Sequence, residues 1–182
     1  IRVLYMSNMI NKKGYNELAT AYIALPPVIQ TRIKLDFAGR FELETQKTEF
    51  LEKIAGFPNM QYHGMVSNDA KRDLFFQAHA FCLPTSFFEG QPISILEAYA
   101  AGCVVVTTGQ SGILDVFTDQ LNGFQLRNGK ADAILNTLEQ LVQSVDRLQS
   151  VGLSNAATAR KKYRTEIYNT ELAKVLEQPL NI

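Results

Sequence analysis

Short apolar runs alternate with longer segments of helical spacing along most of this chain. The runs with the length and composition of strands are 1–6, 33–38, 60–62, 78–83, 103–107 and 123–126. Helical spacing predicts helices over 15–25, 42–55, 67–77, 112–117, 131–149, 153–163 and 165–177, with Gly152 as a break. Alternating strands and helices predict an α/β fold, in which a parallel sheet is covered by helices on both faces.

The composition is that of an ordinary globular domain. The 182 residues are 46% hydrophobic and 20% charged, and 18 basic residues balance 18 acidic ones. We therefore predict one domain over 1–182, with a C-terminal helix over 164–182. The balanced charge gives no argument for a nucleic-acid partner, and no apolar run approaches the ~20 residues of a membrane span.

The two cysteines indicate a reducing compartment. Cys82 and Cys103 both lie in apolar, strand-like contexts, which favours buried free thiols over a disulfide. We expect a cytoplasmic protein. The chain opens at Ile1 directly on a strand-like run, from which we expect it to be part of a longer two-domain protein.

In a parallel sheet of this kind, ligands bind beyond the carboxyl ends of the strands, near the point where the strand order reverses. The loops after the first, fourth and fifth strands are therefore the candidates. The fourth is followed by a polar loop and a short helix bounded by Pro92 and Gly102. This helix is apolar nearly all round, so we predict that it is buried.

Two carboxylates mark this segment. Glu97 shares a helical stripe with apolar residues, and a buried carboxylate needs a partner. Glu89 lies in the preceding loop, so both carboxylates could border one crevice, together with a helix N-terminus suited to a phosphate. Alternatively, Glu97 pairs with a core Arg or Lys, and Glu89 is a solvated loop residue.

The segment resembles a known family. The E-x7-E spacing of Glu89 and Glu97 stands within Pro-Thr-Ser-Phe-Phe-Glu-Gly and Leu-Glu-Ala-Tyr-Ala-Ala-Gly-Cys-Val-Val-Val. This framing resembles the nucleotide-sugar-binding half of the retaining GT-B glycosyltransferases of the GT4-like group, also called group 1. The resemblance implies a Rossmann-like, doubly wound sheet, the C-terminal half of a GT-B fold.

The resemblance also implies site residues. It places Glu89 against the donor sugar and Glu97 on the ribose hydroxyls. Pro92 has no N–H to donate, so the contacts to sugar and phosphate would come from the backbone around it, at Gly90, Gln91, Ile93 and Ser94.

The first loop, 7–14, resembles the family's Gly-Arg…Lys-Gly segment, whose two cations neutralise the donor diphosphate. Lys13 matches the family's Lys, which makes it a candidate catalytic residue together with Glu89, but Asn8 stands where the family has Arg. Lys12 or Arg40 could substitute, or Lys12 and Lys13 are simply solvated. The resemblance also implies backbone contacts to the base at Met65 and Val66. Alternatively, these two residues only pack against their neighbours.

These assignments imply a glycosyltransferase that moves a sugar from a nucleotide diphosphate to a glycan or lipid-linked acceptor with retention. We expect no metal and no cofactor beyond the donor, since the chain has no Asp-x-Asp motif and no Cys/His cluster with metal spacing. The acceptor would bind through an N-terminal half, so the chain alone should bind nucleotide without turnover.

Bacterial polysaccharide biosynthesis is the associated process, with peripheral attachment at the inner face of the membrane as a further expectation for the full-length protein. Two alternatives stay open at this point. One is a nucleotide-sugar epimerase or a related enzyme on the same fold. The other is a non-catalytic partner domain with a decayed crevice, a reading that the Asn8 substitution favours.

Overall fold

A computed structural model describes residues 1–176. Its centre is a parallel six-stranded sheet with the order β3-β2-β1-β4-β5-β6. The strands are β1 Arg2–Met6, β2 Lys34–Ala38, β3 Met60–Tyr62, β4 Ala80–Leu83, β5 Val104–Thr108 and β6 Gly123–Leu126. The predicted doubly wound, Rossmann-like architecture is confirmed, because the strand order runs outward in both directions from the neighbouring strands β1 and β4.

Helices connect the strands and pack beside one another, α1 with α7 and α5 with α8. Their bounds are α1 Tyr15–Ile23, α2 Pro27–Gln30, α3 Glu44–Ile54, α4 Asn68–Gln77, α5 Ile93–Ala100, α6 Ser111–Leu114, α7 Ala131–Gln143, α8 Val145–Lys162 and α9 Thr165–Leu176. The predicted C-terminal helix is α9, and positions 177–182 of that prediction lie outside the described residues. None of the helices in the described part of the chain is both long and apolar enough to cross a bilayer.

The short helix α2 was not predicted from the sequence. The pair Pro26 and Pro27 ends α1 as expected, but Pro27 is also the first residue of α2. Proline suits that position because its fixed φ is already helical and its missing N–H has no partner there in any helix.

The core surrounds the central strands. Val3, Phe81 and Val105, on β1, β4 and β5, are fully buried. Cys82 and Cys103 are buried free thiols, as predicted. Burial raises the pKa of the Cys103 thiol to about 12 and that of Cys82 well above its ordinary range, so both stay protonated at neutral pH.

The predicted break at Gly152 is wrong. The two C-terminal helical segments meet at Ser144, and Gly152 lies inside α8. A Cβ atom at Gly152 would come within 2.2 Å of the carbonyl oxygen of Gly102, which follows α5. The glycine therefore serves the close approach of α8 to the end of α5, which outweighs its low helix propensity.

The prediction that α5 is buried all round is also wrong. Ile95, Ala98 and Tyr99 are fully buried, but the opposite stripe is open, and Ile93 is 70% exposed. On this stripe Glu97 is only half-buried. The reason is tertiary, because α5 packs on β4, β5 and α8, while its other side borders a crevice.

Candidate functional site

A crevice of about 960 Å³ opens beyond the carboxyl ends of β1 and β2, beside the start of α5. It lies at the edge of the sheet where α/β folds bind ligands. Its lining consists of Met6, Ser7, Asn8, Ala38, Gly39, Arg40, Glu42, Met65, Val66, Lys71, Ile93, Ser94 and Glu97.

The predicted site residues fall into two groups. The crevice lining includes Asn8, Met65, Val66, Ile93, Ser94 and Glu97. The second group, Lys13, Glu89, Gly90 and Gln91, is not part of that lining and lies on the first loop and on the loop before α5. Of the two glutamates, Glu97 thus lines the crevice, and Glu89 lies on the loop before α5, outside that lining.

Glu97 has a cationic partner in the crevice. Its Oε1 atom lies 2.5 Å from the Nζ atom of Lys71 on α4, and the two side chains are 33% and 35% exposed. The sequence-based interpretation of Glu97 as a buried carboxylate is therefore wrong, because the stripe that carries it faces open space. Its alternative, a pair with a core Arg or Lys, is correct in that the partner is a lysine, but Lys71 is not a core residue.

Glu89 is the buried carboxylate of the two, with 6% exposure. Its Oε1 atom accepts a hydrogen bond from Lys13 Nζ at 2.5 Å and one from Thr85 Oγ1 at 3.0 Å. The ammonium of Lys13 also lies 5.0 Å from the ring centroid of Phe87. The alternatives of a solvated Glu89 and a solvated Lys13 are both wrong, whereas Lys12 is exposed.

The loop that carries Glu89 is attached to the first loop through the backbone. The amides of Ser86 and Phe87 donate to the carbonyl oxygen of Lys12 at 2.7 and 3.1 Å. Gly14 lies at φ +83°, and a Cβ atom there would come within 2.5 Å of the Pro84 oxygen. Glycine is needed at this position for both reasons, and the contact holds Lys13 beside Glu89.

The loop after β5 supports the Glu89 loop from behind rather than lining the crevice. Gly112 donates its N–H to the carbonyl oxygen of Glu89 at 3.2 Å. A Cβ atom at Gly112 would come within 1.4 Å of the Gly90 oxygen. This loop therefore fixes where the Glu89 backbone lies, and any larger residue than glycine would displace it.

The start of α5 presents donors to the crevice. Pro92 precedes the helix, and no side chain caps the first turn among the described residues. The first amides of a helix have no partner within it, and the positive end of the helix dipole lies there. Ile93 and Ser94 both line the crevice, so this end of α5 suits an anionic group, as the sequence predicted.

Sequence reasoning missed Lys71 and most of the loop after β2. Gly39 and Glu42 line the crevice, and the end of β2 at Ala38 was the signal that could have found them. Arg40, considered only as a substitute cation, lines the crevice as Asn8 does, whereas Lys12 does not. Lys71 had no sequence signal, because its partner lies 26 residues away on another helix.

Among residues 1–176, no group of three or more His, Cys, Asp or Glu side chains is arranged to hold a metal ion. The expectation that neither a metal nor a separate cofactor takes part stays a prediction.

The chain matches a family model over most of its length. The model described as glycosyl transferases group 1 matches residues 1–157. The EpsD protein of Bacillus subtilis (strain 168) is 24% identical over 157 residues, which cover 86% of this chain and 40% of that protein. The amylovoran biosynthesis glycosyltransferase AmsK of Erwinia amylovora is 29% identical over 107 residues, 56% of this chain and 26% of that one.

Solved structures share the fold. Anabaena HepE, in complex with UDP and glucose, superposes with a TM-score of 0.83 at 17% identity, over 96% of this chain and 47% of that one. The pneumococcal O-GlcNAc transferase GtfA, in complex with UDP and GlcNAc, has a TM-score of 0.77 at 16% identity, over 97% of this chain and 36% of that one. The chain thus spans less than half the length of each of these relatives.

Proposed function

This chain belongs to the group 1 glycosyl transferases, and on that premise we propose that it is the donor-binding, C-terminal half of a GT-B enzyme. Its crevice binds a nucleoside diphosphate sugar, and the full-length protein transfers the sugar with retention to a glycan or lipid-linked acceptor. The acceptor binds through another domain, and this chain alone binds nucleotide without turnover.

One observation carries the proposal. The carboxylate of Glu97 and the start of α5, which has no side-chain cap among the described residues, line the same crevice as residues 65–66. The ribose hydroxyls need hydrogen-bond acceptors, and the diphosphate needs N–H donors or cations. The base needs backbone N–H and C=O groups to pair with. All three kinds of group border one space beyond the carboxyl ends of the strands, as nucleotide binding in α/β folds requires.

The neighbouring loops supply the remaining roles. Lys13 stabilises the charge that develops on the leaving diphosphate, and Glu89 orients the donor sugar. Arg40 supplies the second cation from the crevice wall, in place of the arginine that Asn8 replaces. No metal ion is needed for charge stabilisation under this proposal, since cations and backbone amides provide it.

The names of relatives support the substrate class. HepE and GtfA were solved with UDP, and AmsK is named for amylovoran biosynthesis. We propose UDP as the nucleotide and a bacterial cell-surface polysaccharide as the product, made in the cytoplasm with the full-length enzyme held peripherally at the inner face of the membrane.

Calorimetric titration of the chain with UDP, GDP and ADP tests the proposal. We expect UDP to bind, and Glu97→Gln to weaken it by about tenfold or more, since a hydrogen bond to a charged group contributes about 1.5 to 3 kcal/mol. Glu44→Gln is the matched control, because Glu44 pairs with Lys47 on α3 and lies outside the crevice lining. Absence of binding by all three nucleotides would refute the proposal.

A non-catalytic partner domain is the second candidate, and Asn8 is the observation that favours it. The side chain at this position lines the crevice without a charge. Arg40→Ala separates the two candidates. If Arg40 is the substitute cation, the Arg40→Ala variant binds UDP more weakly but keeps its affinity for the nucleoside uridine. If the phosphate site is disabled, the unsubstituted chain already binds UDP no better than uridine.

A further inference from the structure

The ion pair between Lys71 and Glu97 crosses from α4 to α5 at the wall of the crevice. Both side chains line that space, and Lys71 Nζ lies 2.5 Å from Glu97 Oε1. Each side chain is about one-third exposed, and ion pairs at such exposure contribute little to folding stability. The main effect of this pair is therefore on the geometry of the Glu97 carboxylate.

The pair engages only one of the two carboxylate oxygens. Within residues 1–176 the single hydrogen-bond partner of Glu97 side-chain oxygens is Lys71, and it is bonded to Oε1. The second oxygen, Oε2, is left without a protein donor in that part of the chain and is not buried. One oxygen is thus anchored, and the other stays available to a hydroxyl group in the crevice.

Anchoring matters because Glu97 would otherwise be mobile. A glutamate on an open helix stripe samples several rotamers, and fixing them on binding costs conformational entropy. A lysine bonded to one oxygen restricts the carboxylate before the ligand arrives. Affinity gained in this way comes from preorganisation, without a new contact to the ligand.

We propose that Lys71 is a positioning residue for the nucleotide ribose, which acts by holding the carboxylate of Glu97 in the orientation that accepts the ribose hydroxyls. This inference rests on the proposed function of the crevice. A lysine that attracts the diphosphate would strengthen binding of every nucleoside diphosphate, whereas a lysine that positions Glu97 affects only ligands that carry the hydroxyls.

The test compares UDP with 2′,3′-dideoxyuridine diphosphate by calorimetric titration of the chain. For the unsubstituted chain we expect loss of the hydroxyls to weaken binding by about tenfold or more. For Lys71→Met we expect weaker UDP binding. The dideoxy penalty, which is the factor by which loss of the two hydroxyls weakens binding, should fall to less than about threefold. Lys71→Arg, which retains a donor to the carboxylate, should keep most of the original penalty.

The control is Lys47→Met, which breaks a lysine–glutamate pair on α3, outside the crevice lining. It should leave both affinities unchanged. If Lys71→Met weakens both ligands by the same factor, or leaves the dideoxy penalty intact, Lys71 does not position the ribose acceptor and the inference is overturned while the proposed function stands. If the unsubstituted chain binds no nucleotide, the proposed function fails and this inference fails with it.

Discussion

The contact between Lys13 and Glu89 joins two loops that are 76 residues apart in the chain. The two side chains are only 14% and 7% exposed, so each charge depends on the other for compensation. In the proposed reaction the ammonium of Lys13 turns toward the donor diphosphate, and Thr85 remains as a hydrogen-bond donor to Glu89. The pair thus keeps both groups in place before the donor binds.

Substitution of one partner exposes this dependence. Lys13→Met should lower the free energy of unfolding by about 3 kcal/mol, because it leaves the carboxylate of Glu89 buried without its cation. Urea unfolding followed by circular dichroism measures the loss. Lys13→Met combined with Glu89→Gln should recover part of it, since the uncompensated charge is then removed.

Lys12→Met is the matched control for this prediction. Lys12 is the exposed neighbour of Lys13, and its substitution should change the unfolding free energy by less than about 0.5 kcal/mol. Equal losses for the two lysine variants would show that the pair with Glu89 contributes no more than a surface charge does.

The sequence identifies the two glutamates but does not predict their burial. Their spacing and setting identify Glu89 and Glu97 as candidates, but not which of them is buried. We predicted a buried Glu97 and did not decide whether Glu89 borders the crevice or is solvated. In the structure Glu89 is 6% exposed, and Glu97 is only partly buried. Burial depends on neighbours such as Thr85 and Gly112, whose positions follow from the packing of separate loops.

At the scale of elements, one buried side-chain amide hydrogen-bonds helix α8 to the sheet. Asn155 is fully buried. Its side-chain N–H groups donate to the carbonyl oxygens of Cys103 and Asn122, both at 2.9 Å, and its Oδ1 accepts from the side chain of Asn122 at 2.9 Å. These bonds join α8 to the start of β5 and to the turn before β6.

Asn155→Ala should therefore lower the free energy of unfolding by about 2 to 4 kcal/mol, because it removes the side-chain donor to the buried Cys103 carbonyl oxygen and the acceptor of the Asn122 side-chain N–H, and opens a small cavity. Thermal or urea unfolding measures this. Ser154→Ala, one residue earlier on the exposed side of α8, is the control and should change the stability by less than about 0.5 kcal/mol. A similar effect of both variants would contradict the assigned role.

Elements differ in how well the sequence predicted them. The bounds of β3 and β6 match the prediction residue for residue, since each is a short segment between turn residues in which apolar residues flank one exposed glutamine. The break between α7 and α8 does not match, because Gly152 reads as a helix breaker locally. Its role at the contact with Gly102 belongs to the packing of two elements, which local spacing does not encode.

At the scale of the whole molecule, one buried carboxylate connects three strands. Asp36 on β2 is 1% exposed. Arg2 on β1 donates to it at 2.5 Å, and His63, which follows β3, lies 2.7 Å from its Oδ1. Burial by itself would raise the pKa of Asp36, but the hydrogen bonds with Arg2 and His63 outweigh it and hold the pKa below its ordinary value of 3.8.

The sign of this shift sets a pH dependence. A carboxyl group whose pKa is lower in the folded than in the unfolded state stabilises the fold at pH values above the unfolded-state pKa. That contribution is lost as the pH falls through the folded-state pKa. Asp36→Asn should be less stable than the unsubstituted chain at pH 5, and this difference should shrink below about pH 4. Urea unfolding at pH 7, 5, 4 and 3 measures it.

The exposed Asp73 provides the comparison for this series. Asp73→Asn should differ from the unsubstituted chain by less than about 0.5 kcal/mol at every pH. A gap for Asp36→Asn that stays the same or widens at pH 3 would contradict the lowered pKa.

The sequence by itself determined the class of fold, the strands and the segment that carries the site. Alternation of strand-like runs and helical spacing is a local property, and the framing of Glu89 and Glu97 is a run of consecutive residues. Tertiary structure decided which faces are open, where α8 begins, and that Lys71 and Lys13 are the partners of the two carboxylates. Those outcomes depend on contacts between residues far apart in the chain, and such contacts exist only once the sheet and its helices have packed.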